Sequence, residues 1–140
     1  MAEGLKIEIV SPERLVLSET VTSVTVPGTE GYFTVMNDHA PFMTTLKPGF
    51  ITVTKDNGAE VYFVKGGFAD VSPAGLTILA EQSVPFSEFD HGDLQAQIKA
   101  AEEELSRAAT PEDKSYAQEV VSALLNLTIE AQHIDGAHIH

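Results

Sequence analysis

The chain has 140 residues, 43% of them hydrophobic, no cysteine or tryptophan, and a net charge of −13. That length supports one moderate domain, or one small domain with an appendage, with a core large enough to fold without staples. The missing cysteines remove disulfides, zinc–thiolate sites and thiol catalysis, and the acidic balance argues against nucleic-acid and anionic-lipid partners, which need a cationic face.

The first residues, MAEGLKIEIV, show neither the charged nor the apolar part of a signal peptide. No apolar run approaches the roughly 20 residues of a membrane-spanning helix. A soluble chain facing a cytoplasm-like compartment, without direct membrane insertion, is expected. Residues 1–85 then read as β-structure. LKIEIV (5–10) alternates, RLVL (14–17) is short and apolar, and VTSVTV (21–26) is rich in β-branched residues. FMTTLK (42–47), FITVTK (50–55), VYFVKG (61–66), FADVS (68–72) and LTILA (76–80) continue the series. Turn residues fall between them, at Pro27-Gly28, Pro48-Gly49, Asp56-Asn57-Gly58, Gly66-Gly67 and Pro73-Ala74-Gly75. Asn57-Gly58 predicts a hairpin with a type I′ turn. Many short strands at close intervals point to a sandwich or barrel and not to βαβ units.

The stretch VPFSEFDHGD (84–93) marks a boundary, and residues 86–92 are expected to be a linker. From residue 93 the period becomes helical, with Leu94, Ile98, Ala101 and Leu105 on one face. Ala108-Ala109-Thr110-Pro111 interrupts it, and Thr110, Pro111, Glu112 and Asp113 suit the start of a second helix. That helix carries Tyr116, Val120, Leu124, Leu127 and Ala131 on a stripe. Two amphipathic helices with a tight link make an antiparallel hairpin over residues 93–140, ending in a flexible tail. Charge is uneven, at net −5 over residues 1–85 and net −8 over residues 86–140.

Candidate chemistry is sparse. His39 stands in NDHAP (37–41) between apolar runs. A general base needs an orienting partner and a proton within reach, and Asp38, its chain neighbour, points to the opposite face of an extended strand. His39 therefore reads as a loop or contact residue. PGTEG, KPG and KGG match neither a P-loop nor a dinucleotide fingerprint, and Gly66-Gly67 reads as a bulge or a close backbone approach. His133, Asp135, His138 and His140 offer imidazole and carboxylate ligands for zinc or nickel, but they read more simply as a disordered tail. Glu102, Glu103 and Glu104 read as a solvated helix face. From the residues alone this is an interaction protein with no catalytic, nucleotide-binding or metal site and no cofactor.

IVSPER (9–14), VPGTEG (26–31), HAPFMTTLKPG (39–49), GGFADV (66–71) and LTILAE (76–81) occur in the order and spacing of one family. They resemble the epsilon subunits of F-type ATP synthases, called delta in mitochondria. The resemblance implies a β-sandwich of about ten strands in two sheets, followed by an antiparallel helical hairpin. It implies a rotor subunit of the central stalk that links the gamma subunit to the membrane c-ring and passes torque during proton-driven ATP synthesis. It also implies a peripheral place on the cytoplasmic side of a bacterial inner membrane. Contact with the c-ring is expected at Glu30, Gly31 and Tyr32, and contact with gamma at His39, Ala40, Pro41, Phe42 and Met43. In members that inhibit ATP hydrolysis, the C-terminal helices reach the alpha and beta catalytic subunits.

Three departures from the family pattern bear on function. Asn37-Asp38 stands where members often have Pro-Gly, and both pairs support a turn. Some bacterial members bind ATP near the start of the helices through a pattern like Ile/Leu-Asp-x-x-Arg-Ala. Here that stretch is Phe89-Asp90-His91-Gly92-Asp93-Leu94, with a carboxylate where the phosphate-binding arginine belongs. No useful ATP binding is expected. From 93 to 132 only Lys99, Arg107 and Lys114 face eight acids, so docking on an acidic catalytic subunit, and with it inhibition, is expected to be weak or absent. The competing readings are a nucleotide-responsive regulator whose hairpin closes over ATP, and a free-standing enzyme using His39.

Overall fold

Alternation sets the first strand. β1 (Leu5–Ser11) buries Leu5, Ile7 and Ile9 and turns Lys6 and Glu8 outward. The computed structural model describes the backbone of residues 4–139 and the side chains of residues 4–134. The chain divides into two units, Met1–Phe89 and Asp90–His140, and each is described by itself.

The first unit continues with β2 (Arg14–Val21), β3 (Ser23–Gly28), β4 (Gly31–Val35), β5 (Phe42–Thr45), β6 (Gly49–Lys55), β7 (Gly58–Lys65), β8 (Phe68–Ser72), β9 (Gly75–Leu79) and β10 (Gln82–Pro85). They form two five-stranded sheets, ordered β2-β1-β9-β8-β5 and β10-β7-β6-β3-β4. Every pairing is antiparallel except β1 with β9. This is the ten-stranded sandwich that the family resemblance implied. Ile7, Ile9 and Ile78 from the first sheet meet Val24, Ile51 and Val53 from the second, all fully buried. Each such side chain contributes about 1.5–3 kcal/mol by leaving water.

Three hairpins share one turn design. Two residues form the turn and a glycine follows with positive φ, at Gly31 (124°), Gly58 (140°) and Gly75 (139°). The expected type I′ turn centred on Asn57-Gly58 is therefore displaced by one residue. Asp56 and Asn57 form the turn, Lys55 pairs with Gly58, and no described non-glycine residue has positive φ. A side chain resists the left-handed region, so the positive φ settles on the glycine and the register follows it. At Gly67, a Cβ would overlap the Leu79 carbonyl, which makes this glycine a close backbone approach between β8 and the end of β9.

The outer face of the second sheet is covered locally. Phe50 and Phe63 pair across β6 and β7, point away from the sandwich core, and are nonetheless 3% and 4% exposed. A 3-10 turn at Phe86–Glu88, in the stretch expected as a linker, lays Phe86 and Phe89 over them. Ring centroids lie 5.5 Å (Phe50–Phe86), 5.2 Å (Phe50–Phe89) and 5.0 Å (Phe63–Phe89) apart. Arg14 Nη2 lies 3.4 Å from Glu88 Oε1, joining this turn to β2.

The second unit holds α1 (His91–Arg107) and α2 (Pro111–Ile139), which pack on each other. Thr110 Oγ1 accepts from the Asp113 amide at 3.1 Å and caps α2. Buried residues are Leu94 and Ile98 on α1, with Ala117, Val121, Leu124, Leu127 and Ala131 on α2. The stripe expected through Tyr116 and Val120 is displaced by one residue, and Tyr116 is 70% exposed. Both phases have helical spacing, but small Ala117 lets the helices approach where a tyrosine ring would hold them apart. The side chains of Asp135 and His138, and residue His140, lie outside the described residues.

Candidate docking surface

β4 and β5 are edge strands of the two sheets, and the rings of Phe33 and Phe42, 5.2 Å apart, put them on the same side of the sandwich. The segment 36–41 crosses between them at one end. Its turn has Asn37 and Asp38 at the corner, closed by the His39 amide donating to the Met36 carbonyl at 3.1 Å. The His39 ring lies with Nδ1 3.0 Å from the Ala40 carbonyl oxygen. A carbonyl can only accept, so Nδ1 is the donor in this contact. The same ring sits 5.3 Å from Phe42, which sits 5.2 Å from Phe33. Among the described residues no ion pair involves His39. A shallow hollow beside it is lined by Thr22, Thr34, Met36, Asn37 and Asp38. The imidazole is thus held by backbone and aromatic contacts, with no carboxylate orienting it for proton transfer.

The expected gamma-contact residues cluster here, although they face different ways. Phe42 turns between the sheets, opposite buried Val71, while Met43 turns to the outer face of the first sheet, opposite Asp70. His39, Ala40 and Pro41 are exposed at the sandwich end. Met36, 59% exposed, belongs to the same surface and was not singled out in the sequence. Its only signal there is an apolar residue placed directly before a polar turn.

Glu30, Gly31 and Tyr32 lie at the other end of β4. Five residues of strand separate the two places by about 15 Å, so they do not form one site. Glu30 is exposed on the β3–β4 turn. Tyr32 is half committed to the fold. Its hydroxyl accepts from the Phe50 amide at 3.2 Å, and the residue is 48% exposed.

The stretch Phe89–Leu94 begins α1. Asp90 Oδ1 accepts from the Asp93 amide at 3.1 Å, and Asp93 Oδ2 accepts from Gln97 Nε2 at 2.6 Å. Both carboxylates serve the first turn of the helix, where they complement its dipole. Among the described residues no group of three or more His, Cys, Asp or Glu is placed to hold a metal ion.

The family model described as "ATP synthase, Delta/Epsilon chain, beta-sandwich domain" matches residues 4–86. The chain is 50% identical over 128 residues to the ATP synthase epsilon chain of Mesorhizobium japonicum, covering 91% of this chain and 95% of the relative. Among solved structures it is similar in fold to a chain of the Euglena gracilis mitochondrial ATP synthase OSCP/F1/c-ring assembly, with TM-score 0.70 and 22% identity, covering 99% of this chain and 82% of that one. A chain of the Tetrahymena thermophila mitochondrial ATP synthase central stalk/c-ring matches with TM-score 0.68 and 16% identity, covering 91% and 96%. With its sandwich matched throughout and a relative this similar along nearly its whole length, the chain belongs to the ATP synthase delta/epsilon family.

Proposed function

We propose that this chain is a non-catalytic rotor subunit of the central stalk of an F-type ATP synthase, joining the gamma subunit to the c-ring and passing torque between them. The observation that carries the proposal is the 50% identity to an ATP synthase epsilon chain over 91% of the sequence. Within that role His39, Ala40, Pro41, Phe42 and Met43 touch gamma, and Glu30, Gly31 and Tyr32 touch the c-ring. The separation of the two groups along β4 suits a subunit with two neighbours. The chain sits peripherally on the cytoplasmic side of a bacterial inner membrane, and none of the described helices is long and apolar enough to cross it. Co-expression with the gamma subunit tests this reading. A stable complex on sizing is expected, and a chain that never co-purifies with gamma overturns it.

The helical unit acts as a weak inhibitor or none. Its charge is strongly acidic, and Arg107, one of its three cations between 93 and 132, pairs with Glu104 at 3.5 Å. Removing residues 93–140 leaves ATP hydrolysis by the assembled enzyme nearly unchanged, whereas strong activation contradicts this. The reading of a nucleotide-responsive regulator predicts micromolar ATP binding. With Asp93 in place of an arginine, isothermal titration gives no such binding.

A further inference from the structure

The chain has no cysteine and three methionines, so its only sulfur atoms are thioethers. Met1 lies outside the described residues. The other two, Met36 and Met43, are 59% and 61% exposed. They stand on either side of the segment 37–42. Met36 precedes the Asn37-Asp38 turn and lines the hollow there with Thr22, Thr34 and His39. Met43, on β5, turns to the outer face of the first sheet, opposite Asp70.

The interior is built differently. Among the described residues every buried apolar side chain belongs to Leu, Ile, Val, Ala, Phe or Tyr, and none contains sulfur. Methionine is a ready filler of irregular core gaps, and its oxidation there disrupts packing. In this chain an oxidant meets the described thioethers only at the surface. A thioether that gains an oxygen changes from a flexible apolar group into a polar one. At an exposed position that change leaves the fold intact and alters what the surface can bind.

We propose that Met36 and Met43 form a reversible oxidation site at which a peroxide turns off docking on the gamma subunit. The inference rests on the stalk reading above and adds a regulation to its contact at His39 to Met43. A sulfur lone pair attacks one peroxide oxygen, so that an S–O bond forms and the O–O bond breaks. The departing hydroxide takes the proton from the transferred oxygen and leaves as water. Sulfur is oxidised by two electrons to the sulfoxide, and the peroxide is reduced. At Met43 the new oxygen is a strong acceptor in a contact that the thioether made as an apolar group, and burying it there without a donor is unfavourable. Sulfoxide reductases reverse the step, releasing the oxygen as water while two thiols become a disulfide. Gamma covers Met43 in the assembled stalk, so the site acts on the free chain, before assembly.

The test treats the full-length chain with hydrogen peroxide, removes the peroxide, maps the sulfoxides by mass spectrometry, and titrates untreated gamma subunit. One added oxygen is expected at each of Met36 and Met43, with circular dichroism and thermal unfolding as in the untreated chain. Affinity for gamma falls about tenfold or more, and incubation with the two sulfoxide reductases, one for each epimer, restores it. The double variant Met36→Leu with Met43→Leu is compared with its own untreated affinity, and peroxide leaves that value unchanged. Oxidation of Met43 is slower in the preformed complex with gamma than in the free chain. Affinity within about threefold of the untreated chain, with both sulfoxides formed, overturns the site and leaves the stalk reading standing. An equal peroxide effect in the double variant assigns the loss to other residues and overturns the proposal, as does a loss accompanied by unfolding. Untreated chain that fails to bind gamma at all overturns the stalk reading itself.

Discussion

On the outer face of the second sheet Phe50 and Phe63 are 3% and 4% exposed, while on that of the first sheet Leu15 and Leu79 are 57% and 40% exposed. Both pairs are large, apolar and turned away from the sandwich core. The difference lies in cover. The chain returns after β10 to lay Phe86 and Phe89 on Phe50 and Phe63, and among the described residues of the first unit Leu79 has no such cover. Apolar side chains outside a core thus carry two meanings, and only the rest of the chain distinguishes them. Where the chain supplies its own cover, the residues hold the fold; where it leaves them open, they contribute little to it.

The contrast is broken most directly at its covered half. Phe63→Ala should cost about 3–5 kcal/mol in urea unfolding, since it empties the centre of the aromatic cluster. Phe89→Ala, which removes part of the lid, should cost about 1.5–3 kcal/mol. Losses below about 0.5 kcal/mol at both positions would mean that the cluster gives the fold no more than an ordinary surface contact.

A smaller effect comes from the polar clamp between the sheets. Lys55 on β6 lies 2.6 Å from Glu19 on β2 and 3.0 Å from Glu60 on β7. The hydrogen bond to Lys55, aided by one from Tyr62, holds the Glu60 carboxyl below its ordinary value of 4.5 against the opposing pull of burial. A lowered carboxylate stabilises the fold above pH 4.5, and the contribution fades as pH falls through the folded value. Hydrogen bonds to Glu19 and Glu60 raise Lys55 above 10.5, and burial, with the Glu60 charge, pushes Tyr62 up to about 12. Those contributions are full at neutral pH and fade as pH rises through the raised values. Thermal unfolding across pH should find Glu60→Gln slightly less stable than the parent at pH 7, the two converging below pH 4.5. A gap that persists in acid would assign the loss to packing.

The smallest effect belongs to the open half. Leu79→Ser should shift stability by no more than about 0.5 kcal/mol, measured in the same urea series as Phe63→Ala. A loss of several kcal/mol there would show that the open face supports the fold.

Eight strands are legible as alternating or β-branched runs, and glycines mark most of the turns. β4 and β10 are less so. GYFTV (31–35) lacks a clean alternation, and QSVP (82–85) is four residues ending in proline. The family resemblance supplied the count of ten. His39 was readable as a loop residue because its only adjacent acid is badly placed, and its hold on the Ala40 carbonyl agrees with that. Phe86 and Phe89 looked like parts of a linker because Pro85, Gly92 and the acids around them dominate the composition. Their partners, Phe50 and Phe63, are more than twenty residues away in sequence, and no local pattern predicts such a contact. The outward turn of Leu15 was hidden for a related reason. The pairing of β1 with β2 shifts there, so that Ile9 faces Leu17 and Val10 faces Leu15, and such a bulge leaves no periodic trace in a run as short as RLVL.

The chain contains no cysteine, so one introduced thiol reports on one place. Single variants Met43→Cys and Thr25→Cys, on the outer faces of the first and second sheets, can be alkylated free and in complex with the gamma subunit. The account predicts that gamma slows alkylation at position 43 by about tenfold or more and leaves position 25 nearly unchanged. Equal alkylation of position 43 in the free chain and the complex would contradict the claim that gamma holds this subunit at the 39–43 segment.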